Sequence, residues 1–207
     1  MKVYATETEQ VEQIKKWLQE NGVTIVVSIL IVIAVMFGWR YYQNHVITTR
    51  AQASSAYEEM MISIMNNQPK FATVKGEYLI REYPKTPYAN LAALILAQSD
   101  VNQGHYDTAL AHLQWVIEHA KDRATTAVAK VRKARILLTL NKKDEALATL
   151  DSIKDKAFTS AYYAVKGDVY FALGRIAEAK SAYEQSIKLS PKDDALKPLI
   201  QMKLSNM

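Results

Sequence analysis

The chain has 207 residues, 26 lysines and arginines against 21 aspartates and glutamates (net charge +5), and no cysteine. Disulfide frameworks, cysteine-ligated metal centres and thiol nucleophiles are therefore excluded. Six glycines and five prolines fall well short of the usual combined share of about 12%, so a mainly helical chain is expected over a turn-rich β fold. The glycines, at 22, 38, 76, 104, 167 and 174, are never closer than seven residues, which excludes both the GxGxxG fingerprint and the P-loop.

Residues 1–20 read as an amphipathic N-terminal segment, with Val11, Ile14, Trp17 and Leu18 on one stripe. Such a stretch either lies along the headgroup layer or extends the helix after it. Between Glu20 and Arg40 come 19 uncharged residues, about 28 Å of helix against a hydrocarbon core of roughly 30 Å. Residues 21–40 are therefore expected to be a transmembrane anchor. Val23, Ile29 and Ile33 would meet membrane lipids, while Trp17 at one end and Trp39, Arg40 and Tyr41 at the other would sit in the headgroup layers. Ten of the 17 residues from 23 to 39 are β-branched, yet lipid forces helix because the backbone finds no other partner there. Twenty residues with four glutamates precede the apolar run and bulky Trp39–Tyr42 close it, which argues against a cleaved signal peptide. Lys2, Lys15 and Lys16 against Arg40 and Arg50 tilt the balance toward a cytoplasmic N-terminus. The span has no ionisable residue and offers no ion path.

From residue 41 to 207 the pattern is all-α, with hairpins expected at about 43–82, 88–120, 124–153 and 158–189 and a last helix at 193–205. Three segments align. Each opens on a turn former (Gly104, Asn141, Gly174), has alanine five residues on (Ala109, Ala146, Ala179) and a large side chain four later (Leu113, Leu150, Tyr183). A left-handed residue closes the first helix, and the alanine admits the second closely.

The third segment resembles the tetratricopeptide repeat (TPR) family: counting from Ser160, its bulky, glycine, tyrosine, alanine, aromatic and proline positions fall on Tyr163, Gly167, Tyr170, Ala179, Tyr183 and Pro191, with small Ser186 between the last two. The two earlier segments depart from it, with Ala97 and Ala134 for the glycine and Asp100 and Leu137 for the tyrosine. This resemblance implies an α-solenoid whose protein-binding groove is lined by the first helix of each hairpin. The corresponding residues are Leu91, Leu94, Gln98, Val101 and Asn102, then Val128, Val131, Arg135, Leu138 and Thr139, then Ala161, Ala164, Asp168, Phe171 and Ala172. For Leu94, Val131 and Leu138 a place in the core is the competing expectation.

Little in the chain points to catalysis. His105, His112 and His119 recur every seven residues, about 10.5 Å along a helix and too far to share an ion. No GxSxG, HExxH or kinase element occurs. A protein without enzymatic activity, cofactor or metal is expected. The basic run Lys130, Arg132, Lys133, Arg135 lacks interleaved aromatics, so it reads as a solvated face and no nucleic-acid partner is expected.

As a whole the chain resembles the YfgM-type ancillary SecYEG translocon subunit family. The resemblance rests on Gln10–Trp17 with Asn21 and Gly22, on Gly38–Tyr42, and on Gln201–Asn206. It implies a single-pass protein of the bacterial inner membrane with a cytoplasmic N-terminus and a periplasmic TPR-like domain. It further implies association with the SecYEG translocon and with a membrane-anchored periplasmic chaperone related to peptidyl-prolyl isomerases. A membrane-anchored regulator that sequesters a signalling partner is the alternative left open by the residues.

Overall fold

The computed structural model describes residues 7–154, 160–191 and 196–207. These form nine helices: α1 Glu7–Met65, α2 Pro69–Glu82, α3 Pro87–Asn102, α4 Tyr106–His119, α5 Arg123–Thr139, α6 Lys143–Asp151, α7 Ser160–Ala172, α8 Ile176–Leu189 and α9 Leu196–Ser205. The chain divides at Ala51/Gln52 into two units. Residues 158–159 and 193–195, expected in the last hairpin and the last helix, lie outside the described residues, as do residues 1–6, 155–157 and 192.

The first unit is the N-terminal part of α1. Residues 9–20 and 21–40 belong to one uninterrupted helix that runs on to Met65, and the expected boundary at 40/41 is no break. The reason is local: no glycine or proline occurs between Trp39 and Gln68, and a change from apolar to polar side chains does not itself stop a helix. The apolar stretch has a mean hydropathy of 2.6 over its strongest window and is long enough to cross a bilayer. Val23, Ile29, Ile33 and Phe37 along it are all exposed. Two polar side chains in and beside it bond to the helix's own carbonyls. Ser28 Oγ donates to the Thr24 carbonyl at 2.8 Å, and Asn21 Nδ2 to that of Trp17 at 3.0 Å, so neither presents an unpaired donor to lipid. The Trp39 and Tyr42 rings lie 6.5 Å apart at the polar end.

The second unit starts in the C-terminal part of α1. Consecutive helices pair as α3/α4, α5/α6 and α7/α8, and Ala53, Ala56 and Met60 of α1 share a cluster with Ala72 and Leu79 of α2 and Leu96 of α3; α3 also touches α5 as α5 touches α7, so these first helices form one row. Four residues with positive φ make the hairpin turns: Asn67 (55°), Gly104 (78°), Asn141 (60°) and Gly174 (75°). Each turn closes by the same pair of bonds. At Gly104, its N–H donates to Val101 O (3.0 Å) and the next N–H to Asp100 O (2.8 Å); Asn67, Asn141 and Gly174 repeat this with Ile64/Ser63, Leu138/Leu137 and Phe171/Tyr170. This is the Schellman arrangement, which satisfies carbonyls that a helix end would leave unpaired. Gly104, Asn141 and Gly174 were expected in this role; Asn67 is a fourth.

Two first helices, α3 and α5, begin on side-chain caps, and the second helices α2, α4, α6 and α8 do not. Thr86 Oγ1 accepts from Ala89 N ahead of α3, and Asp122 Oδ1 accepts from Thr125 N at 2.7 Å ahead of α5. That bond holds the Asp122 carboxyl below its ordinary range. Because its folded-state pKa is depressed, the cap's stabilisation is present above the unfolded value and is lost as pH falls through the folded one. Asp122→Ala is expected to cost about 1 kcal/mol at neutral pH. In urea titrations of the full chain in detergent, that difference should shrink below about pH 4; a constant difference would remove the carboxylate from the account.

The core is built from small residues facing large ones. Ala109, Ala146 and Ala179 are fully buried, as are Leu113, Leu150 and Tyr183. In α7, a Cβ added to Gly167 would lie 2.6 Å from Tyr183 Cε1, so the ring packs directly against the helix backbone there. Seven before and nine after each left-handed residue stand Ala97/Leu113, Ala134/Leu150 and Gly167/Tyr183, whereas the first hairpin has Met60/Gly76. Sizes are inverted there: Met60 is fully buried, and a Cβ on Gly76 would meet Leu96 at 2.9 Å. Ser186 is buried between α7 and α8, donating to Ser160 O at 2.7 Å. Its neighbours Ser160 and Ser190 close the hydroxyl network at 2.7 Å. Proline at 198 stands in the first turn of α9, where it removes no helical bond.

Candidate protein-binding surface

The side chains on the first-helix row divide into those the fold consumes and those it leaves open. On α3, Leu94 is 8% exposed and belongs to the core, while Leu91 is 42% exposed. Gln98 and Asn102 are exposed, joined by Gln98 Nε2 donating to Asn102 Oδ1 at 3.1 Å. Val101 is half-buried against the same core. On α5, Val131 is buried and Leu138 half-buried in the neighbouring cluster, and Val128, Arg135 and Thr139 are exposed. On α7, Phe171 is exposed, Ala161 and Ala172 are half-buried, and Ala164 is buried.

Asp168 is committed elsewhere. It accepts from Tyr183 Oη at 2.6 Å and from Lys203 Nζ of α9 at 2.5 Å. Ile200, Leu204 and Met207 cover the face formed by Ala164, Tyr170 and Ile187. Desolvation, then the bond to Asp168, pushes the Tyr183 phenol well above its ordinary value. The expected groove position Asp168 is thus occupied by the chain's own last helix.

Two adjacent cavities bring Gln98, Val101, Asn102, Arg135 and Thr139 together, whereas Leu91, Val128, Leu138 and Phe171 border neither. One, of about 390 Å³, lies between the Asn67 turn and α3 and includes Ile64, Gln98, Asn102 and Arg132. The other, of about 180 Å³, lies between α3, α4 and α5 and includes Gln98, Val101, Tyr106, Arg132, Arg135 and Thr139. Arg132 borders both. It is half-buried, with one guanidinium N–H donating to the Leu94 carbonyl at 3.1 Å. Burial, with Arg135 nearby, lowers its pKa. Among the described residues neither arginine side chain has a carboxylate partner. Asn90, also on α3, holds its Oδ1 buried without a hydrogen-bond partner.

The basic run does not form one solvated face. Lys130 donates to Ser152 O, Arg132 to Leu94 O and Lys133 to Gln114 Oε1, each across a helix boundary. A third cavity, of about 300 Å³, is lined by Lys121, Arg123, Lys130 and Lys154 beside the Asp122 cap. The three histidines have separate settings. His105 starts α4, His112 stands between Glu77 and Asp100 at 3.0 and 2.9 Å, and His119 stacks on Trp115 at 4.2 Å. No metal-binding group of His, Asp and Glu occurs among the described residues.

Arg132 was visible only as one member of a basic run. Its spacing of three from Arg135 puts both on neighbouring positions of α5, but the acceptor on α3 depends on packing. Tyr106 comes just after the turn at Gly104 and carries no signal of its own.

Stacked helical hairpins with an open first-helix row define a TPR-like solenoid, and comparison with known proteins agrees. A family model described as a tetratricopeptide repeat-like domain matches residues 15–207. Among solved structures, MamA from Desulfovibrio magneticus RS-1 superposes with a TM-score of 0.55 at 15% identity, covering 74% of this chain and 86% of that one. A thermophilic TPR protein from Thermus thermophilus gives 0.51 at 17%, covering 74% and 80%. These identities speak for the fold alone. The chain is 30% identical to the "Ancillary SecYEG translocon subunit" of Escherichia coli K12 over 100% of its length and 99% of the relative's. With the protein of the same name from Haemophilus influenzae Rd it shares 31% over 99% of both. The chain belongs to the ancillary SecYEG translocon subunit family.

Proposed function

We propose that this protein is a non-enzymatic adaptor of the Sec translocon, held in the bacterial inner membrane by the span in α1. Its N-terminus is cytoplasmic and its solenoid periplasmic, where the open first-helix row binds protein and links the channel to a membrane-anchored chaperone of the peptidyl-prolyl isomerase kind. The observation that carries this reading is kinship over both full lengths to proteins named as translocon subunits. Supporting it, the open surface offers amides, arginines and apolar side chains without a convergent acid–base pair. A tether confines the domain to the membrane plane, which raises its effective concentration beside emerging chains.

Affinity capture from gently solubilised membranes is the direct test: the tagged full chain should recover channel subunits and a periplasmic chaperone. Recovery of neither, with the bait intact, would falsify the adaptor role. Protease added to spheroplasts should digest the solenoid; its protection would place it on the cytoplasmic side.

A further inference from the structure

The open first-helix row carries a charge imbalance that narrows what it can hold. Gln98 and Arg132 belong to both adjoining cavities, so the two form a continuous trough along α3 and α5. Among the described residues, the charged side chains bordering this trough are Arg132 and Arg135, and no carboxylate borders either cavity. A half-buried cation without an opposing charge is costly, because it has given up water and gained no ion pair. Arg132 spends one of its five N–H donors on Leu94 O, leaving most of the planar fork free.

We propose that this trough binds an extended polypeptide segment through an acidic side chain, whose carboxylate is gripped by Arg132 and Arg135. The inference rests on the protein-binding reading given above and names the chemistry of the partner. A guanidinium pairs with a carboxylate through two parallel bonds. Alongside it, the carboxamides of Gln98 and Asn102, joined to each other at the surface, still have donors and acceptors that match a peptide backbone. Val101 and Tyr106 supply an apolar floor for the residues flanking the acid. A nucleic acid would want aromatic platforms beside the cations, and among the described residues the only aromatic ring bordering either cavity is that of Tyr106.

The test uses the full chain in detergent and a fluorescein-labelled dodecapeptide of alternating glutamate and alanine, with glutamine replacing glutamate in the control. Anisotropy titrations should show the glutamate peptide binding at least about tenfold more tightly, with the preference fading as salt rises. Arg135→Gln changes a side chain at the rim of the trough and should lose most of that preference, as should Arg132→Gln. Lys154→Gln, in the separate basic cavity, should leave it intact. Equal binding of the two peptides, or an unaltered preference in Arg135→Gln, overturns the proposal. So does equal competition by a single-stranded oligonucleotide of matched charge. Capture of the translocon that survives while the peptide preference is absent would sink the acidic specificity alone; loss of capture in the unmodified protein would sink the adaptor reading instead.

Discussion

Tyr183→Ala is expected to lower the stability of the folded chain by about 3–5 kcal/mol. The ring is fully buried and lies directly on the α7 backbone at Gly167, where no side chain exists to close a void. Its hydroxyl also donates to Asp168, which Lys203 of α9 shares, so the change loosens the last helix too. Gly167→Met alone should cost about 1–3 kcal/mol by driving a side chain into the ring. In the Tyr183→Ala background, however, it should recover at least about 1 kcal/mol, because the double variant adopts the large-then-small order of Met60 and Gly76. Thermal unfolding of the full chain in detergent reads all three. Simple additivity of the two changes would show that these positions do not share one space.

Charging the span should abolish membrane anchoring, but only when done twice. Residues 23–39 include eleven valines, isoleucines, leucines and phenylalanines, each contributing roughly −0.3 to −0.6 kcal/mol near a bilayer centre against about +2.5 to +3.5 for an aspartate. Ile29→Asp alone therefore leaves insertion near balance or favourable. Ile29→Asp with Ile33→Asp removes two favourable residues and adds about 5–7 kcal/mol, which exceeds what remains. Alkaline carbonate extraction should release the double variant from membranes and retain most of the single one. Retention of the double variant would mean that α1 is held by protein rather than by lipid.

How much of this was readable beforehand depended on whether the signal was local. The turns at Gly104, Asn141 and Gly174 were legible because a left-handed backbone position restricts the residue types that occupy it. The equivalent turn at Asn67 escaped because the repeat was recognised by alanine followed by a large side chain. In that hairpin Ala72 is followed by Gly76, with the bulk moved to Met60. Continuity of α1 through residue 41 was hidden by a change of composition that breaks no hydrogen bond. The candidate surface was legible in part. Gln98, Thr139 and Phe171 reach solvent and Asn102 and Arg135 do so at the trough rim, whereas Leu94 was claimed by the core and Asp168 by α9. No spacing rule links Asp168 to Lys203, 35 residues away; only packing does. The same holds for Arg132 and the Leu94 carbonyl, 38 residues apart.

The position of α9 has a bearing on how molecules crowd together. A row of stacked hairpins is in principle endless, because each unit presents the kind of face on which another can settle, and an uncovered terminus invites a second molecule to continue the row. Here the downstream terminus is sealed by Ile200, Leu204 and Met207, with Lys203 pinned to Asp168. A second molecule could settle on that face only by displacing α9.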